Sequence, residues 1–234
     1  MERAVARRET SIIANHNLHS LYLHKTDLRM QRFYRHAGCV HIDGMAIVLL
    51  AKLSGFSVTR NERVTYVDWV PHIMRMAIGR AWRLFYLGSK PGVAELAADR
   101  LRKQYPGLHI ETAHGYFPAE RCSPENRDIL DRLRAYKPHI LLVGMGMPRQ
   151  EHWILDNLDD LSGTTILTVG AAFDYYAGAV AVPPRWAGRI GLEWLFRLVA
   201  EPRRLWKRYL VEPWLLLAIL ISSLRKNSQQ AAGP

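Results

Sequence analysis

Cysteine is nearly absent: two residues in 234, Cys39 and Cys122, outside any Cys-x-x-Cys pair. That excludes a disulfide-stapled scaffold and a thiolate metal knuckle, and it predicts a reducing compartment, the cytosol. None of the ten histidines belongs to a His-Glu-x-x-His motif, and no Asp-x-Asp occurs anywhere. The chain therefore shows no zinc-protease signature and no evident carboxylate pair for a divalent cation. The start, MERAVARRETSII, lacks the apolar stretch of a secretory leader. The longest apolar run, WLLLAILISSL at 214–224, is eleven residues with two serines, about half of what a bilayer requires. Internal repeats are missing, and the only biased segment is the polar end NSQQAAGP.

What is present is a basic excess with a definite address. The net charge is +11, from 32 Lys and Arg against 21 Asp and Glu. Nine of the basic residues lie between Arg185 and Lys226, facing three glutamates, and four of the seven tryptophans (Trp186, Trp194, Trp206, Trp214) share that stretch. Aromatic-basic interleaving suits anionic lipid headgroups, and the same charges suit a nucleic acid.

Before that stretch, short apolar runs alternate with helical patterns. Strands are expected at TSIIAN (10–15), CVHI (39–42), RLFYLG (83–88), LHIETAHG (108–115), HILLVGMG (139–146) and TILTVGAA (165–172). Several lack polar alternation, which predicts a sheet covered on both faces. Helices are expected over 89–107, with Ser89 as N-cap and Pro91 in the first turn, over 123–138 behind Ser123-Pro124, and over 148–163. The order strand, helix, strand with short links predicts a doubly wound parallel, Rossmann-like α/β sheet. From Pro183 onward no strand pattern remains. Leu192, Leu195, Phe196 and Val199 keep helical spacing, Pro202 interrupts, and Leu205, Trp206, Tyr209 and Leu210 resume the stripe. The expected organisation is a catalytic domain over 1–182 and a helical, basic, Trp-rich appendage over 183–234.

Ligands of parallel α/β sheets collect where strands end. Asp43 follows CVHI directly; it is either a functional carboxylate or the N-cap of the helix containing GMAIVLLAKL. The Gly-Ser-Lys turn at 88–90 is an anion site or a plain capped turn. VGMGMPRQEHW places Gly144 and Gly146 after a strand, but the third glycine of a dinucleotide fingerprint is missing. Asp174 sits in GAAFDYYAG, where an unpaired carboxylate is costly. His114, before Gly115-Tyr116-Phe117, is the one histidine outside bland packing contexts.

HIDGM, ERVTYVDW, FYLGSKPGVAE, HGYF, VGMGMPRQEHWI, GAAFDYYAG and PRW…GLEWLFRL…EPRRLWKRYL occur in the order seen in the WecG/TagA/CpsF glycosyltransferases, and the chain resembles that family from about Ile12 to Leu210. The resemblance implies transfer of a sugar from a UDP-linked donor to a sugar on a polyprenyl diphosphate, with inversion, without metal and without a cofactor. It puts Asp43 in the place of the catalytic base and Asn17, Arg63, Gln150 and Asp174 at donor-binding positions. It makes the turn at 144–151, with Gly144 and Gly146, a sugar-nucleotide site. Charge growing on the leaving UDP calls for cations, for which Arg63 is one candidate and the tail offers Arg185, Arg203, Arg204 and Arg208 as others. Two departures stand near the donor. Asn15 replaces the usual Thr of Thr-x-Asn, and ERVTYVD replaces ERVxGxD, bringing in Tyr66. They leave the donor open between glucose and N-acetylmannosamine types, with a slight lean to glucose in an exopolysaccharide.

The expectation is thus a peripheral enzyme of cell-surface polysaccharide synthesis on the cytosolic face of the inner membrane, binding no nucleic acid, with an oligomer left open. A nucleic-acid module and a nicotinamide oxidoreductase are the rivals. The first lacks a readout motif, and the second lacks the complete glycine fingerprint.

Overall fold

In the computed structural model, which describes residues 1–218 and the side chains of all of these but 185, 189 and 190, six strands form one sheet. They are β1 Ser11–His16, β2 Ala37–Ile42, β3 Arg83–Gly88, β4 His109–Ala113, β5 Ile140–Gly144 and β6 Thr165–Thr168. Their order is β2-β1-β6-β5-β3-β4, and every pairing is parallel. The helices are α1 Glu2–Ala6, α2 Leu18–Thr26, α3 Leu28–His36, α4 Met45–Leu53, α5 Tyr66–Gly79, α6 Val93–Gln104, α7 Pro124–Tyr136, α8 Arg149–Asp156, α9 Ala172–Tyr176, α10 Arg185–Ile190, α11 Glu193–Ala200 and α12 Pro202–Trp206. A π-helical turn, Lys207–Val211, follows, and the chain stays helical to 218. The rest of the apolar run, 219–224, and the polar end lie outside the described residues.

The expected parallel α/β sheet is present, and its central strands are buried from end to end: β5 and β6 expose nothing. Alternate residues feed two apolar layers. Ile13, Leu84, Tyr86, Ile140, Leu142 and Leu167 pack with α5, α6 and α9 on one face. Ile12, Ala14, Phe85, Leu87, Leu141, Val143 and Ile166 pack with α3, α7 and α8 on the other. Continuous apolar runs were therefore the signature of a doubly covered sheet.

One local expectation fails, and one open alternative closes. Ser89 does not cap a helix: α6 starts at Val93 behind Gly92, at φ +79, and Pro91 lies ahead of it. Ser89 itself is left-handed (φ +58), with its hydroxyl 2.7 Å from the buried Tyr86 hydroxyl. Asp43 does not cap α4 either. The N-cap is Gly44, with extended backbone and no side-chain cap, so the carboxylate is free for other work. Ser123 does cap α7, accepting from Asn126 N at 3.1 Å. The 148–163 region is shorter than expected, α8 giving way to a 3-10 turn at Leu158–Leu161.

All strand ends after which chemistry was sought point to one edge of the sheet. The first glycine of the Gly144-x-Gly146 pair serves the packing of that edge. A Cβ on Gly144 would lie 2.5 Å from Gly170 O and 2.6 Å from the Tyr86 hydroxyl, whereas one on Gly146 would meet nothing within 4 Å. Gly146 is constrained only by its φ of +80. Gly144→Ala should therefore cost about 1–3 kcal/mol through overpacking against backbone, and Gly146→Ala about 1–2 kcal/mol through left-handed strain alone. Urea unfolding of the two variants checks this. A Gly144→Ala protein as stable as the wild type would remove the packing argument.

Candidate functional site

A cleft of about 1340 Å³ runs along the carboxyl ends of the strands. Its walls come from the turns after β1, β2, β3, β5 and β6 on one side and from the segment 188–212 on the other. This is where a parallel sheet leaves backbone groups and helix N-termini unpaired and available to a ligand.

Asp43 stands at the end of β2. Asn15, buried on β1, donates Nδ2 to Asp43 Oδ2 at 3.0 Å. The other end of the Asn15 amide accepts from Thr168 Oγ1 of β6 at 3.1 Å. One amide thus ties three strands together and fixes the carboxylate. Burial pushes the Asp43 pKa up from 3.8 to about 6, against the opposing pull of Asn15, Arg63 and Arg197. Both ends of the Asn15 side chain are engaged by protein groups, so the departure at this position bears first on the carboxylate.

Asn17 caps α2. Its Oδ1 accepts from Ser20 N at 3.0 Å while Ser20 Oγ accepts from Asn17 N at 2.8 Å. That leaves the amide nitrogen over at the cleft wall. Arg63 lines the cleft but is already paired: Nη1 donates to Gly188 O at 3.1 Å and Nη2 binds Glu193. It clamps the C-terminal segment over the site. His19 Nδ1 adds a second tie, to Glu212.

Gln150 and Arg149, adjacent in α8, diverge. Gln150 is buried in the cleft floor and donates Nε2 to Glu151 Oε1 at 2.7 Å, which leaves its Oε1 without a partner. Arg149 is exposed, bonding Phe117 O and lying over the Phe117 ring. Burial pushes the Glu151 pKa from 4.5 to about 7, opposed by the Gln150 hydrogen bond and by Arg208. Asp174 lines the cleft from α9, half-buried, so the cost of a sealed-in carboxylate is not incurred. Gly146 borders the cleft openly and Gly144 from its packed position.

Of the tail arginines, Arg204 and Arg208 line the cleft, while Arg203 is exposed and does not. Arg204 is paired with Glu201 at 2.6 Å. Burial lowers the pKa of Arg208, whose Nε has no partner. The side chain of Arg185 lies outside what is described. The structure adds Arg197 of α11, a residue that sequence reasoning passed over as part of an apolar stripe. Desolvation works against its charge, but Tyr175, Tyr209 and Asp43 outweigh it and raise its pKa. Its Nε is buried and unpartnered as well. Arg63 likewise keeps a buried, unpartnered Nε, so three guanidinium groups with an unused donor flank the Asp43 side of the cleft. His114 belongs elsewhere, to a cavity of about 420 Å³ beside Phe117, Glu125 and Asp128. Among the described residues no three His, Cys, Asp or Glu side chains are grouped to hold a metal ion, and no helix is long and apolar enough to cross a membrane.

Known proteins are similar to this chain in sequence. An N-acetylglucosaminyldiphosphoundecaprenol N-acetyl-beta-D-mannosaminyltransferase of Staphylococcus aureus (strain NCTC 8325 / PS 47) is 27% identical over 147 residues, 63% of this chain and 54% of that protein. An enzyme of the same name from Bacillus spizizenii (strain ATCC 23059 / NRRL B-14472 / W23) is 28% identical over 192 residues, 82% of this chain and 70% of its own length. The chain thus spans about half the length of the staphylococcal relatives it matches. The family model for the glycosyl transferase WecG/TagA/CpsF family matches residues 1–230, nearly the whole chain, and with the fold and the cleft in place the protein belongs to that family.

Proposed function

We propose that the protein is an inverting, metal-independent glycosyltransferase that moves a sugar from a UDP-sugar donor, of glucose or N-acetylmannosamine type, onto a polyprenyl-diphosphate-linked saccharide in exopolysaccharide or other cell-surface polysaccharide synthesis. The observation that carries this reading is Asp43: a carboxylate oriented by Asn15, raised in basicity by burial, and faced by arginines with unused donors. In the proposed reaction the acceptor hydroxyl attacks the anomeric carbon of the donor, and its proton passes to Asp43 as the bond to UDP breaks. General-base help of this kind is worth about 10²–10⁴-fold. Arg197 and Arg208 meet the charge that grows on the departing UDP, a role that suits cations held in place before the reaction. Gln150 and Asp174 hold the donor, Asn17 lends its spare amide nitrogen, and Arg63 secures the wall through Glu193. The segment from 183 onward closes the acceptor side and, with its exposed tryptophans, rests on the cytosolic face of the inner membrane as a peripheral contact. The relatives' names, which specify a diphosphoundecaprenol acceptor, support the lipid-linked substrate. The absence of Asp-x-Asp supports a reaction that needs no cation.

Asp43→Asn should keep donor binding and lower turnover by about two orders of magnitude or more. In the wild type the rate should rise through pH 6 and then level, because Asp43 accepts a proton only once ionised; the variant should lose that limb. The stability effect runs the other way. A folded pKa raised from 3.8 to about 6 favours the folded state at low pH and loses that advantage as pH rises through 6. Asp43→Asn should thus be at least as stable as wild type at pH 8. Unchanged turnover in a well-folded variant would take Asp43 out of the role.

Gln150→Ala and Asp174→Asn should raise the apparent donor KM at least severalfold, and Arg149→Ala should do less, since neighbours on a helix diverge by about 100°. A donor defect confined to Arg149→Ala would mean that the other face of α8 meets the donor. Transfer should also survive EDTA. Loss on chelation, restored by Mg²⁺ or Mn²⁺, would overturn the metal-free mechanism.

A further inference from the structure

The apolar surface does not end with the tail. Helix α4, MAIVLLAKL, buries only Val48. Leu49 and Leu53, one turn apart, are 58% and 77% exposed, and Phe56 just beyond the helix is 66% exposed. Three large apolar side chains on one short segment form a patch of the kind that soluble monomers rarely leave uncovered without a purpose.

We propose that α4 is a second lipid-contacting element, docking on the anionic bilayer surface that carries the acceptor's polyprenyl chain. The inference rests on the transfer reaction proposed above, and three observations choose the lipid surface as occupant. The first is position. The helix begins two residues after Asp43, so an acceptor whose hydroxyl lies at Asp43 reacts beside the first turn of α4. The second is continuity. Gly191, between α10 and α11, sits directly on Met45, since a Cβ there would lie 3.3 Å from that of Met45. Beyond this junction Trp186 and Phe196, in ring contact at 5.7 Å, are exposed too. The α4 patch and the aromatic tail therefore adjoin. The third is charge. Lys52 and Arg60 flank the patch, both exposed, on a chain of net charge +11. Such a rim attracts acidic headgroups and opposes the approach of a second copy of the same basic face.

The test uses the full chain with Leu49, Leu53 and Phe56 replaced together by serine, changes that remove exposed side chains outside the cleft. Binding is read by co-sedimentation with vesicles of phosphatidylglycerol and phosphatidylcholine. Transfer is read on two acceptors, one with a long polyprenyl chain embedded in those vesicles and one with a short, water-soluble chain. Vesicle binding and transfer to the embedded acceptor should each fall at least tenfold, while UDP binding and transfer to the soluble acceptor stay at wild-type values. Undiminished vesicle binding would overturn the proposal. So would a variant that stays on vesicles but shifts from dimer to monomer in sedimentation velocity, since the patch would then belong to a second copy. A wild type that binds vesicles through α4 but transfers sugar to neither acceptor would instead count against the reaction and leave the lipid contact standing.

Discussion

Parallel strands must all end on the same side, and in this molecule that constraint gathers the chemistry. Asn15, Asp43, Gly146 and Thr168 come from four separate stretches of chain, yet each stands at or just past the carboxyl end of a strand. Packing helices on both faces leaves that edge as the place where backbone and side-chain polar groups remain without internal partners. The amide of Asn15, shared between Asp43 and Thr168, then fastens β2 and β6 to β1 at the level where the ladder stops. It holds a carboxylate in surroundings that disfavour its charge, which would suit the proposed base.

The C-terminal segment changes the meaning of that edge. Alone, the ends of the strands would be an open shelf. With Arg63 bound to Gly188 and Glu193, and His19 to Glu212, the shelf gains a facing wall. Leu205 and Leu216 are buried on its inner side, and the tryptophans remain outside. A division at 182–183 therefore separates two compositions, while the cleft is assembled from both. The electrostatics follow from the enclosure. Arg197 and Arg208 each bury an Nε without a partner on this wall, and burial likewise raises Asp43 and Glu151.

Much of the fold was legible in the residues. RLFYLG, HILLVGMG and TILTVGAA read as buried strands because long apolar stretches run through them; the first two are strands within two residues, while the third stops at Thr168, four residues short of its expected end. Ser123-Pro124 read as a helix start because a capping hydroxyl followed by proline is a local device, and local devices survive folding. Ser89 looked the same and misled, because a buried Tyr86 hydroxyl competes for it. Helix α5 was not read, although its buried Tyr66, Val70, Ile73, Met74 and Ala77 keep helical spacing, because Pro71 in its interior looks like a break. At the site, Asp43 and Gln150 stood out through their motifs. Arg197 did not, since what distinguishes it is burial beside Tyr175 and Asp43, far away in sequence, and spacing carries no trace of that; Glu151 shares the motif of Gln150, and only its burial sets it apart. Arg203 and Arg204 were indistinguishable as neighbours in a basic run, and only the docking of α12 decides that Arg204 faces the cleft.

The π-helical turn at Lys207–Val211 sets the phase of everything after it. Such a turn holds one residue more than an α-turn, so the following residues are rotated by roughly 100° about the axis relative to an unbroken helix. In that phase Glu212 meets His19, Leu216 turns inward and Trp214 outward. The wall is thus registered by counting as well as by contact. Loss of Tyr209, Leu210 or Val211 would keep the charge and the helix, yet turn every later residue by about 100°, taking Glu212 away from His19 and Leu216 off the inner face.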